Sequence, residues 1–156
     1  MKKLVKLLAL SLVLVFALSL GACGSSYGKV EKALLNNNFQ VNTSLESKTN
    51  AIKSELEKKD LVIEIHGFYK EDSQSGGFSR VNVYVIEFKS TDDLASAIEK
   101  SATLKGILTD IASSEDAKAL YNSLVEKGYA NGNCLVFCTA LGSEHRNEVK
   151  KIVKNA

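Results

Sequence analysis

Residues 61–88, LVIEIHGFYKEDSQSGGFSRVNVYVIEF, decide the fold. Two runs rich in β-branched and aromatic side chains, 61–69 and 81–88, flank a polar stretch containing Gly76-Gly77, the pattern of a β-hairpin. Centring the turn near Ser75 sets His66 opposite Tyr84, Phe68 opposite Asn82 and Glu64 opposite Ile86. On that register Leu61, Ile63, Ile65, Val81, Val83 and Val85 make the core side. The other side, Glu64, His66, Phe68, Asn82, Tyr84 and Ile86, is more apolar than a free surface usually is. It reads as a partner face or as the second, partly covered side of the sheet.

Working toward the C-terminus, Ser90-Thr91-Asp92-Asp93 puts a hydroxyl at a helix cap and a carboxylate three residues on, both of which satisfy orphan N–H groups. Leu94, Ala95, Ile98 and Ala102 then form one stripe. The pattern breaks at Gly106, resumes with Ile107, Leu108 and Ile111, and restarts at residues 113–116 for a helix carrying Ala117, Leu120, Tyr121 and Leu124 and stopped by Gly128. Asn131-Gly132 signals a turn. Residues 133–139 are almost wholly apolar, as a strand buried on both sides would be, and Gly142-Ser143 opens a last helix with Val149, Ile152 and Val153 inward.

Toward the N-terminus, Val30, Ala33 and Leu34 predict a helix over 28–38, stopped by Asn36-Asn37-Asn38. Phe39, Val41, Thr43 and Leu45 alternate with polar residues and predict a strand. Residues 46–60 are highly charged, with Ile52 and Leu56 able to pin a solvent-facing helix. The fold class that buries all these stripes is α+β, a small, mostly antiparallel sheet of three or four strands with helices packed on one face.

The first two dozen residues have a different character. Lys2, Lys3 and Lys6 precede an apolar run over 7–20, and Gly21-Ala22 supply small residues ahead of Cys23, the three-part layout of a secretory signal. The run falls short of the roughly 20 apolar residues that a permanent span needs. The ending Leu20-Gly21-Ala22-Cys23 resembles the lipobox of bacterial lipoproteins. The resemblance implies cleavage between Ala22 and Cys23, a diacylglyceryl group on the Cys23 thiol, and a chain anchored at the extracytoplasmic face of the cell membrane. The order of elements is also similar to that of small uncharacterised lipoproteins of Gram-positive bacteria. The domains expected are a signal peptide, 1–22, a lipidated Cys and flexible tether, 23–27, and a single α+β domain, 28–156.

The formal charge of +2 is a property of the signal. Three of the 20 basic residues leave with it, so 17 face 18 acidic ones at a balance of −1, and no nucleic-acid partner is expected.

Few residues invite chemistry. Cys134 and Cys138, four apart on a strand, stand about 13 Å apart. That is too far for a disulfide or for one zinc ion, so they read as buried free thiols. His66, with Glu64 on the same strand face, is the one handle for hydrolysis, whereas His145 falls in the first turn of the final helix. No nucleophile elbow and no phosphate-binding Gly-rich loop is present, and no cofactor, metal or catalytic set is expected. The function expected is a membrane-anchored binding or interaction module for a protein or envelope ligand, using the face of Glu64, His66, Phe68, Asn82 and Tyr84 or the loop from Glu71 to Ser79. The alternative is a small cell-surface hydrolase using His66. An importer's capture component is disfavoured, because a cleft between two lobes needs more chain.

Overall fold

The computed structural model describes residues 25–44, 53–54, 62–72, 79–101, 104–105, 108, 116–139 and 143–156. Among the described residues the helices and strands run in the order α1 (Ser26–Asn36), β1 (Gln40–Val41), β2 (Val62–Asp72), β3 (Ser79–Phe88), α2 (Thr91–Lys100), α3 (Ala117–Lys127), β4 (Ala130–Asn131), β5 (Cys134–Thr139) and α4 (Ser143–Asn155). The fold is α+β. Its sheet is antiparallel throughout, with strands in the order β1-β2-β3-β5-β4. There are five strands where three or four were expected; the two extra ones, β1 and β4, are each two residues long and sit at the edges.

The hairpin is slipped by one residue from its expected register. Phe68 faces Val83, His66 faces Val85 and Ile65 faces Ile86. A one-residue slip exchanges the faces of an entire strand, so Val81, Val83 and Val85 share a side with Phe68, and Ile86 shares one with Ile65.

Both sides of the sheet are covered, a correction to the one-sided packing expected. Val81, Val83, Val85, Cys134 and Val136 join Phe68 in one core with Val30 and Leu34 of α1 and Val149, Ile152 and Val153 of α4. Ile65, Ile86, Phe88 and Leu135 join a second core with Leu94, Ala97 and Ile98 of α2 and Leu120 and Leu124 of α3. The cause is that β3 and β5 are apolar at consecutive positions, so each strand must bury both faces, at roughly 1.5–3 kcal/mol per large side chain.

Local signals explain the element ends. The Ser90 hydroxyl accepts from the Asp93 N–H at 3.0 Å, capping α2. Asp116 caps α3, and Gly128, at φ 76°, ends it in left-handed geometry. Asn38, at φ 64°, does the same beyond α1. β1 is shorter than the strand expected over 39–45, because the Asn42 side chain accepts from the Ser44 N–H (3.1 Å) and hydroxyl (2.6 Å) and turns the chain away. Val41, expected inward, is 54% exposed.

The flexible tether is also corrected. The Ser25 hydroxyl accepts from the Gly28 N–H at 3.1 Å, and the helix begins at Ser26, inside the stretch expected to be loose. Apart from 53 and 54, the helix expected over 46–60 lies outside the described residues, as do the signal, Cys23 and most of the hairpin loop.

Candidate functional site

The register slip divides the expected partner face. Glu64, His66 and Phe68 lie on the α1/α4 side of the sheet, whereas Asn82 and Tyr84, facing Tyr69 and Gly67, lie on the α2/α3 side. Phe68 is wholly buried and belongs to the core; Glu64 is exposed; Asn82 and Tyr84 are half-buried.

What gathers around His66 is a different set. Its Nε2 lies 3.3 Å from Glu87 Oε2, with the two side chains only 15% and 14% exposed. This contact is a hydrogen bond when the imidazole is neutral and an ion pair when it is protonated. One face of the imidazole is covered by Tyr27 of α1, the ring centroids 3.7 Å apart and the planes 19° from parallel. The Tyr27 hydroxyl in turn donates to Glu31 Oε1 at 3.1 Å, one helical turn on. Burial, the Glu31 bond and the negative charges of Glu31, Glu87 and Glu64 push the Tyr27 hydroxyl far above the ordinary phenol range.

Sequence reasoning missed Glu87 and Tyr27. Glu87 is the single charge in the apolar run 81–88, a visible sign of a buried partner. Tyr27 was hidden because its stretch was read as tether.

The thiols behave as expected in one case and differ in the other. Cys134 is fully buried and faces Glu87 across the strands; burial and that carboxylate push its thiol up to about 12. Cys138 is half-buried, not buried, and its thiol is pushed up to about 11, mainly by loss of solvent. Both stay protonated at neutral pH, and neither is a nucleophile there. His145 sits on α4, half-buried, in its first turn.

Chemically, the cluster is a set of mutually satisfied groups. A tyrosine that keeps its proton and a histidine held by a carboxylate and an aromatic ring fix α1 to β2 and β3. Among the described residues, no group of three or more His, Cys, Asp and Glu is arranged to hold a metal ion, and no helix is long and apolar enough to cross a membrane. No family model, curated protein or solved structure matches the chain.

Proposed function

We propose that the chain is an exported lipoprotein, cleaved behind Ala22 and held at the outer face of the cell membrane by a diacylglyceryl group on Cys23, whose domain is a binding or interaction module. The observation carrying this reading is the position of Ser25. The helix it caps opens the described domain at Ser26, three residues beyond the lipobox cysteine, and among the described residues the first side chain packed against either core is that of Tyr27, so folded structure begins directly behind the proposed cleavage site. Two acyl chains contribute on the order of 10 kcal/mol or more to membrane attachment, sufficient for a lasting anchor. Metabolic labelling with a fatty acid tests this. Label is expected in the wild type and absent from Cys23→Ala; label persisting in the variant refutes the reading.

Binding is favoured over hydrolysis because His66 is engaged twice, by Glu87 at Nε2 and by Tyr27 across its ring. Pull-down of envelope components with His66→Ala and Tyr84→Ala, which now probe opposite sides of the sheet, tells which side carries the partner. A hydrolytic activity abolished by His66→Ala would instead favour the enzyme.

A further inference from the structure

We infer that the anchoring bilayer is itself a contact surface of the domain, met by one defined end: the start of α1, the β4–β5 turn and the last turn of α4. The inference rests on the reading of Cys23 as lipid-modified. Only Gly24 and Ser25 separate Cys23 from the first helical residue, Ser26, and Ser25 is committed to the cap. A chain advances at most about 3.8 Å per residue, so Ser26 stays within about 11 Å of the lipid-bearing Cα. This leash is much shorter than the domain.

Ser26 packs against Gly132 in the β4–β5 turn. The turn is tied to its surroundings: the Asn131 side chain donates to the Val153 carbonyl of α4 at 3.0 Å, and the Asn133 side chain donates to the Phe88 carbonyl at the end of β3. Lys89 and Lys154, the residues after Phe88 and Val153, are therefore carried to the same end, where both are exposed. Thr139 marks the opposite end. It faces Asn82, six residues from Phe88 along β3, a separation of about 20 Å at roughly 3.4 Å per residue.

The leash, not charge, makes the contact. Lys29, Lys89 and Lys154 are exposed toward this end, but so are Glu64 and Asp92, and such a balanced set has little pull on an anionic surface. The contact should accordingly survive added salt, which would weaken a polybasic attachment.

A photo-crosslinking residue placed at Lys89 or at Thr139 in the full chain, processed in cells and reconstituted in phosphatidylglycerol–phosphatidylethanolamine vesicles, tests the inference. Intact mass is read on the same samples. With lipid present, adducts to phospholipid are expected several-fold more often from position 89 than from 139, at low and high salt alike. A Gly/Ser insert of about 20 residues between Gly24 and Ser25, reaching about 25 Å, should bring the two positions toward parity. Equal adducts from the uninserted lipoprotein overturn the inference and leave the anchor standing. A product with no lipid overturns the anchor, and the inference with it.

Discussion

Replacing Gly132 by Ala tests whether α1 begins where the structure has it, against the β4–β5 turn. Gly132 has φ 54°, and a Cβ built there meets Ser26 Oγ and lies 2.7 Å from Ser26 Cβ. The left-handed backbone alone costs an L residue about 1–2 kcal/mol. The turn cannot easily back away, because the Tyr121 hydroxyl donates to the Gly132 carbonyl at 2.9 Å and Asn131 and Asn133 tie its flanks. The collision therefore falls on Ser26 and adds about 1–2 kcal/mol of overpacking. Urea denaturation of the chain lacking residues 1–22 should thus show Gly132→Ala destabilised by about 2–4 kcal/mol, a large share of a domain's usual 5–15 kcal/mol. Ser26→Gly removes both colliding atoms at a cost of up to about 1 kcal/mol in helix propensity. In the double variant it should recover the steric part and leave the backbone part, a coupling of at least about 1 kcal/mol. Additivity of the two substitutions within about 0.5 kcal/mol, the behaviour of independent sites, would refute the seating of α1 on this turn.

Gly128→Ala should cost more than about 2 kcal/mol by the same measurement, since φ 76° is combined with a Cβ that meets the backbone of Lys150, which has no side-chain freedom with which to yield. The Tyr27–His66 stack should show a coupling of about 0.5–1.5 kcal/mol in a cycle of Tyr27→Ala and His66→Ala; zero coupling would mean that the rings do not meet in solution. Thiol titration at pH 8 should find Cys134 unreactive until denaturant is added, because its thiol is pushed up to about 12 from the ordinary 9.0; equal reactivity in both conditions contradicts its burial. Since the folded thiol holds its proton more tightly than the unfolded one, its stabilising contribution is complete below pH 9.0 and is lost as the pH climbs toward about 12. Urea midpoints should fall over that window in the wild type, and less steeply in Cys134→Ala.

Most elements were legible because their signals are local. Ser90 and Asp93 mark the start of α2, Asp116 and Gly128 bracket α3, and the inward stripe of α4 falls on Val149, Ile152 and Val153 as its spacing requires. The hairpin was legible as a hairpin but not in register, since the last pair is Asp72 with Ser79 and the Gly76-Gly77 between them is not midway along residues 73–78, so it does not mark the pairing. That slip moved Asn82 and Tyr84 away from His66 and hid Glu87, its actual partner. The two-sided sheet had a sign of its own in the unbroken apolar run Val83-Tyr84-Val85-Ile86, which alternation into one core face cannot use. Gly24-Ser25-Ser26 has the composition of a linker. Its second residue nonetheless precedes Tyr27 and Val30, and a serine ahead of an apolar stripe is a cap as readily as a spacer.

Intact-mass analysis of the protein recovered from the membranes of its producing cells bears most directly on the account. The expected species begins at Cys23 and carries the added mass of a diacylglyceryl group. A species that retains residues 1–22 and has no lipid adduct would contradict it.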